Sequence, residues 1–448
     1  MGDSDCEGLF GALPIPEPLA AKAAGAAVTR VRWPNRLQME MRPVDLESLL
    51  PQDHRARVVW GYVVQQDLSD LYRRIKVVEG GVGRSAIAPE ILLSLWLYAT
   101  LEAVGSARAL ARLCEAHDAY RWLCGGVSVN HHSLSDFRTG CGEFLDQLLT
   151  RNVAALLSCG AVSMVRVAQD GMRVRAHAGG SSFRRKTRLI DYLAQARAQV
   201  AALKREVAED PDATQRRQQA AHERAVRERE QRIAQALARL PQLEKIKQAN
   251  GHPPEQARVS TTDAQASVMK MADGGFRPAY NAQLATDTQT QVIVGVDVTT
   301  SGSDKGQLAP MVEQIRQRYG SPPEQMLVDG GFAKLADIDA VAPHTTVYAP
   351  PPKPQDAQRD PHVCRPSDSP AVAQWRVRMG TPEAKPIYQQ RASTAECVNA
   401  LARNRGLTRF NVCGLDKAKS VLLWFALAHN LMRIVELAPS MLGPHVGA

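Results

Sequence analysis

The sequence predicts an α/β protein with an all-helical N-terminal part and a helical hairpin inserted after the first strand. Three observations predict it. Apolar residues recur at helical spacing from 53 to about 159; the pattern switches to alternation at Val162; and after a charged helical stretch the alternation returns beyond Gly251. At 448 residues, with 44% hydrophobic and 23% charged residues, the chain suits two or three globular domains and excludes wholesale disorder. The expected divisions are a loosely ordered arm over 1–50, a helical domain over 51–160, a strand-bearing domain over 161–183 and 251–436, the insertion over 184–250, and a tail over 437–448.

The arm is rich in Ala, Pro and Gly and shows no sustained period. Its basic run TRVRWPNR, 29–36, reads as a solvated tail or as a strip that brushes a phosphate backbone. Pro89 sits early in a helix whose Ile91, Leu92, Leu95, Trp96 and Ala99 recur at core spacing, with Ser85 as a nearby cap. Gly105 breaks that run, Ser106 caps a second helix through His117, and Asp118 starts a short third. After Gly125 and Gly126, Ser133 and Asp136 form a capping-box-like pair that opens a helix reaching about Ser158. Short helices joined by tight turns fit a helix-turn-helix DNA reader, and they fit a packing domain without DNA contact equally well.

VSMVRVAQD, 162–170, alternates and is rich in Val, which predicts a strand ending at Asp170 before Gly171. Leu189, Tyr192, Leu193, Ala196, Val200, Leu203 and Val207 mark one amphipathic helix. A second runs from Thr214 towards Leu240, with DPD at 210–212 as the break. This basic hairpin reads as solvated charged faces, with a duplex clamp as the alternative. Past the GHPP linker, Gly274 and Gly275 turn the chain into a hairpin of YNAQLAT, 280–286, and QVIVGVDVT, 291–299. A helix from about 303 to 319 stops at Gly320, and EQMLVDGGF follows as a buried strand ending in Asp329. A short helix over 333–340 and a strand in TTVYAPP come next; prolines 350–352 end that strand. The stretch 395–404 reads as helix.

The formal charge of +9 and a pI near 9.2 lean toward a polyanionic partner. The eight cysteines include no CxxC pair, so neither a disulfide framework nor a zinc site is expected, and the start MGDSDCEGLF lacks the form of a secretory signal. The apolar blocks from Ile91 and Val421 are too short to span a bilayer and read as buried helix faces, so no membrane partner is expected.

Two strands end in the same way, QDG at Asp170 and VDG at Asp329, and ligands gather at the carboxyl ends of α/β strands. Glu396, on a helix, stands among Arg391, Arg403, Arg405 and Arg409 with Tyr388 upstream. Three such acids suit two divalent ions, typically about 3.5–4 Å apart, in in-line phosphoryl displacement. Carboxylate and phosphate oxygens favour Mg²⁺ or Mn²⁺. His177, Asp263, Asp287 and Asp297 are rival ligands on spacing alone.

Longer segments in order carry a resemblance. RSAIAPEILLSLWLYATLEAVGSARALARLCEAHDAYRWLCGG and HHSLSDFR are followed by VAQDGMRVRAHA and by STTDAQASVMKMADGGFRPAYNAQLATDTQTQVIVGVDVT. LVDGGF and ECVNALARNRGLTRFNVCGLDKAKSVLLWFALAHNLMR complete the set. From about Asp53 to Arg433 the chain resembles a DDE transposase of a bacterial insertion sequence, in the eleven-eighty-two branch of those related to the four and five groups. The resemblance implies an RNase H-like mixed five-stranded sheet flanked by helices, with Asp170, Asp329 and Glu396 as catalytic metal ligands. Tyr388, Arg391 and Glu396 match three members of the signature around the glutamate. Arg403 stands where the wider pattern has lysine; it keeps the charge and can grip phosphate bidentately. The implied activity is metal-dependent nicking at the element's ends followed by strand transfer, without a covalent protein–DNA intermediate, so Tyr388 is expected to contact DNA or to pack. The implied partners are double-stranded element ends and target DNA, with a homodimer in the synaptic complex and a cytoplasmic, nucleoid-associated location. A silent DNA-binding repressor and an RNase H-like nuclease without strand transfer are the alternatives.

Overall fold

The computed structural model describes residues 34, 37, 39, 45–77, 85–209, 216–354 and 359–442. Contacts set 1–44 apart from the rest, and the architecture below is that of 45–442. The DPD break, the end of the tail and nearly all of the arm lie outside the described residues. From the N-terminal side come α1 (Arg55–Val64), α2 (Ser69–Arg73), α3 (Pro89–Leu101), α4 (Ala107–Ala116), α5 (Asp118–Cys124), α6 (His131–Gly140) and α7 (Gly142–Ser158). β1 (Arg166–Arg175) follows, then β2 (Phe183–Arg184), the long helices α8 (Lys186–Glu209) and α9 (Arg216–Ala249), and the return strand β3 (Val259–Ser260). The chain then lays down β4 (Ser267–Lys270), β5 (Phe276–Asp287), β6 (Ile293–Thr299), α10 (Leu308–Tyr319), β7 (Gln325–Leu327), α11 (Leu335–Val341) and β8 (Thr346–Tyr348). Four helices close it: α12 (Pro370–Met379), α13 (Ala384–Arg391), α14 (Cys397–Asn404) and α15 (Leu415–Leu437).

Several local signals act as expected. Pro89 opens α3, the Ser106 hydroxyl accepts from the Ala109 amide to cap α4, and Gly125 and Gly320 end α5 and α10 in left-handed conformations. Others do not. Ser85 caps nothing, because α3 is entered from the extended Ala88. The helix expected from 133 to 158 is two helices. Asn130 caps α6, its Oδ1 accepting from the Ser133 amide at 2.9 Å, and the chain breaks at Cys141. At the break α15 crosses so closely that a Cβ on Gly142 would lie 2.5 Å from the Ser420 hydroxyl. The helix expected from about 303 begins only at Leu308.

The expected five-stranded sheet is a six-stranded mixed sheet, ordered β4-β5-β1-β7-β8 with β6 also on β5. The extra strand follows from length. β5 has twelve residues and β6 only seven; Ala279 pairs with Arg175 on one side and Ser267 on the other, so β4 covers the part of the β5 edge that β6 leaves open. β1 pairs parallel with β7, and β7 with β8.

α15 joins the helical part to the sheet. It packs on α3, α6, α7 and β6, and one hydrophobic core runs through all of them. Trp96 and Trp424 meet with ring centroids 6.4 Å apart, and each indole donates to a carbonyl of α6, Leu134 and Arg138 respectively. The apolar block from Val421 is part of this 23-residue helix, which is long and apolar enough to cross a bilayer; 72% of its most apolar window is buried inside the protein, as a core helix requires. Asn430 closes the outer edge of β6, accepting from the Ile293 amide and donating to the Ile293 carbonyl, both at 2.8 Å.

His429, beside it, is buried and bonds the Gln291 carbonyl at 2.8 Å; burial pushes its pKa down to about 4. The unfolded chain therefore binds this proton more tightly than the folded one, and stability falls as pH drops from 6.5 towards 4. Wild type is expected to lose about 2 kcal/mol through this group between pH 7.5 and pH 5. Urea unfolding of wild type and His429→Gln at the two pH values isolates that contribution, since the variant lacks the titrating ring.

The insertion is an antiparallel pair, as the cross-helix ion pairs Lys186–Glu244 and Arg197–Glu230 require. α8 and α9 bury Leu189, Ala196, Ile233, Ala236 and Leu240 against each other and against Val259. α9 passes the expected end at Leu240 and carries Pro241 within it.

Candidate active site

β1 and β7 run side by side in parallel, with Val167 opposite Met326 and Ala168 opposite Leu327. Two residues beyond this last pair stand Asp170 and Asp329, near enough that the Asp329 charge helps to raise the Asp170 pKa. The strand expected to stop at Asp170 runs on through Gly171 to Arg175, because β5 keeps pairing with it as far as Ala279. Asp170 is thus a mid-strand residue. β7 does end before its acid: Asp329 Oδ1 accepts from the Gly331 amide at 2.8 Å and turns the chain away.

Alternation puts Ala168 and Asp170 on one face of the sheet, where Ala168 packs with Leu327. Beneath the acids, Ala168, Leu327 and Tyr348 pack against Ala384 and Ala395, with Ile387 and Tyr388 alongside. This small apolar cluster seats the third acid's helix on the acid-bearing face. The helix expected over 395–404 is longer: α13 passes through a π-turn, Ala392–Glu396, directly into α14. Ser393 and Thr394 donate their hydroxyls to the Gln390 carbonyl at 3.1 and 2.8 Å, competing with the regular ladder where it widens.

Arg391 links the acids. Its guanidinium lies 3.2 Å from Glu396 Oε1 and 3.9 Å from Asp170 Oδ2, and over the Tyr388 ring at 6.0 Å. Asp170 also accepts from the Gly171 amide at 2.9 Å and from Asn399 Nδ2 at 2.9 Å. Burial raises the Asp170 pKa above the usual carboxylate value; Arg391 opposes that rise, and the charges of Asp329 and Asp304 add to it. Burial likewise raises the Tyr388 phenol. Asp304 lies behind β1, on the other face. It accepts from Asn281 Nδ2 at 2.7 Å and Gln283 Nε2 at 2.8 Å and pairs with Arg173 at 2.9 Å.

The other expected residues separate. Arg403 is exposed at the end of α14. Arg405 turns away from the acids into a pocket with Thr100, Gly105 and Arg138, where burial lowers its pKa. Arg409 is exposed beside the end of β1 and donates to the His177 carbonyl at 3.0 Å. Three rival acids have structural partners: Asp263 accepts from the Tyr280 hydroxyl, Asp287 holds the β5–β6 turn through Thr290, and Asp297 pairs with Lys419 at 3.3 Å.

Asn399 is the residue sequence reading missed. It is 4% exposed, one helical turn beyond Glu396, and that spacing on one helix face was the available signal. Its Oδ1 is buried without a partner. Asn399→Ala is expected to cost about 1.5 kcal/mol of stability, the worth of a hydrogen bond to a charged group. Urea unfolding measures it, and wild-type stability would show that Asp170 does not need this bond.

Among the described residues no three His, Cys, Asp or Glu side chains converge closely enough to enclose an ion. The acid set is open, with the Arg391 cation between Asp170 and Glu396. Its donors, carboxylate oxygens beside the unpartnered Asn399 Oδ1, have the hard-oxygen chemistry that Mg²⁺ or Mn²⁺ requires.

A family model described as a transposase domain (DUF772) matches residues 44–140, and one described as a transposase DDE domain matches 251–431. The chain belongs to the DDE transposases of insertion sequences. The mixed sheet with its flanking helices agrees with the fold of a DDE domain. In this transposase Asp329 and Glu396 fall inside the second matched segment, whereas Asp170 falls between the two. The pairing of Asp170 with Asp329 therefore comes from strand register. No curated protein and no solved structure matches the chain.

Proposed function

We propose that this transposase binds the terminal inverted repeats of its element and cuts and rejoins DNA at Asp170, Asp329 and Glu396. The observation that supports it best is the register of β1 and β7, which sets two carboxylates side by side on the face carrying the Glu396 helix. Asp170, Asp329 and Glu396 would hold Mg²⁺ or Mn²⁺, two ions in all; when bound, these supply Lewis-acid activation of the attacking oxygen and stabilise the leaving one.

The protein's own groups do the positioning. Asn399 and the Gly171 amide hold the two Asp170 oxygens in fixed directions. Arg391, paired with carboxylates in the free protein, is placed to turn to a DNA phosphate. Tyr388 packs beneath it as a neutral phenol and is not the nucleophile. The exposed Arg403 and Arg409 grip the backbone, while Arg405 supports the junction with the helical region. That region recognises the element ends, and two copies pair in synapsis within the cytoplasm. The eleven-eighty-two branch and the domain divisions expected from the sequence belong to the same reading.

The test uses the full chain, Mg²⁺ and duplexes carrying the inverted repeats that flank the gene. Nicked ends followed by joining to a target plasmid are expected. Nicking without joining favours a nuclease, and binding without nicking favours a repressor. Arg403→Ala is expected to weaken end binding and to lower the salt slope by about 0.9, one phosphate contact. An unchanged slope would assign Arg403 to intramolecular contacts.

A further inference from the structure

At the root of the helical insertion the chain builds a cationic hollow that the acid site does not use. Arg184, Arg185, Arg188 and Arg258 line a cavity of about 500 Å³ with Phe183 and Tyr192. Pairing of β2 with β3, Arg184 opposite Val259, brings Arg258 across to the others from 70 residues and more along the chain. The cluster is therefore made by folding and is not merely a run of basic sequence. Among the described residues none of these four arginines has a carboxylate within ion-pair distance, whereas Arg173, Arg277 and Arg376 each have one. Arg184 donates to the Ser181 and Phe183 carbonyls and, with Arg188, faces the Tyr192 hydroxyl. Four like charges held together without counter-charge repel one another and set a strong local field for an anion.

The hollow continues. A neighbouring groove shares Phe183, Arg185 and Arg258 and reaches Gly180; from Gly180 a third hollow reaches Arg175 and Arg409 at the end of β1. Arg175 is five residues along β1 from Asp170, about 17 Å at strand rise. Half a turn of duplex DNA is also about 17 Å. Alternation turns the Arg175 side chain to the face opposite Asp170, and the exposed Arg409, bridged beside it, carries the track round the end of β1.

We propose that the arginine track from Arg409 and Arg175 to the insertion root binds the phosphate backbone of the same duplex that lies at Asp170 and Asp329, as a sequence-independent contact. The inference rests on the transposase reading above. The insertion then acts as a brace on the DNA flank, and its root arginines supply affinity without base selection.

The test compares wild type with Arg185→Ala/Arg188→Ala/Arg258→Ala and with a control, Arg205→Ala/Arg227→Ala/Arg229→Ala, which removes the same charge from the outer faces of α8 and α9. Binding of a fluorescent duplex of about 30 base pairs, three helical turns, is followed by anisotropy across a salt series. The root variant is expected to show a slope of log K against log salt shallower by about 2.7, or about 0.9 per contact, with equal loss on two unrelated sequences. Matching thermal unfolding by circular dichroism separates this from misfolding. A root variant with the wild-type slope, or a control that loses as much, overturns the inference while wild-type binding and cutting leave the transposase reading standing. Wild type that binds no duplex overturns both.

Discussion

Asp170→Asn is expected to slow Mg²⁺-dependent cleavage of an element-end duplex by at least about 10³-fold, a loss of about 4 kcal/mol of transition-state stabilisation. The amide keeps the size of the carboxyl, so the strand and the packing under it remain, while the charge that attracts a cation is gone. Asp329→Asn and Glu396→Gln are expected to fall to the same level. The three act as one unit, so a double variant should lose little more than either single one. Duplex binding should persist in all of them, because phosphate contacts and not the acids supply affinity. Single-turnover cleavage with parallel anisotropy measures both quantities. Cleavage within about tenfold of wild type in any of these variants would remove that residue from the catalytic set.

Gly171→Ala is expected to cost at least about 3 kcal/mol of stability, the upper end for overpacking a filled interior, and to abolish cleavage with it. A Cβ at this position would lie 2.0 Å from Asp304 Oδ1 and 2.5 Å from Gln283 Nε2. Asp304 cannot swing aside cheaply, since Arg173, Asn281 and Gln283 all hold its carboxylate. The strain falls on β1 next to Asp170, whose Oδ1 accepts from the Gly171 amide itself. Asp304→Gly removes the nearer clash and frees Gln283 to move, so the cost of Gly171→Ala measured in that background tests the cause. A smaller melting-temperature loss than in wild type supports the clash, and an equal loss in both backgrounds rules it out.

Much of the architecture was legible because local patterns carry it. The switch from helical spacing to alternation at Val162 announces the sheet four residues before β1 begins at Arg166, and Gly320 and Ser106 end and begin helices through their own backbone and side-chain chemistry. The errors share a cause. Asp170 read as a strand end because Asp-Gly is a turn pair, yet nine consecutive partners on β5 hold the chain extended past it. Asn130 outcompeted Ser133 as a cap only because the chain enters α6 extended at that residue. The sixth strand appears because β5 outlasts β6, a comparison between lengths of separate segments.

Around Glu396 the limit is one of helix phase. The π-turn lies between Arg391 and Glu396 and adds a residue to that turn, so Arg391, five residues earlier, meets the glutamate; Arg403 and Arg405 follow it, at the end of α14. From spacing alone, Arg391, Arg403 and Arg405 form one basic surround for the glutamate. In the fold Arg391 reaches the carboxylates, Arg403 faces outward and Arg405 is drawn into the pocket with Arg138.

The succession of helical region, sheet and helical insertion and the basic balance of the chain were readable in the amino-acid sequence, because propensity, periodicity and charge are properties of neighbouring residues; β4, α12 and α13 were not, and the three acids were singled out from their rivals by the resemblance. Tertiary structure alone decided that Asp170 stands beside Asp329, that Asn399 holds it, that Arg391 bridges to Glu396, and that Arg258 joins Arg184 at the insertion root. Strand register and helix phase determine those contacts. Both are set by packing between segments far apart in the chain.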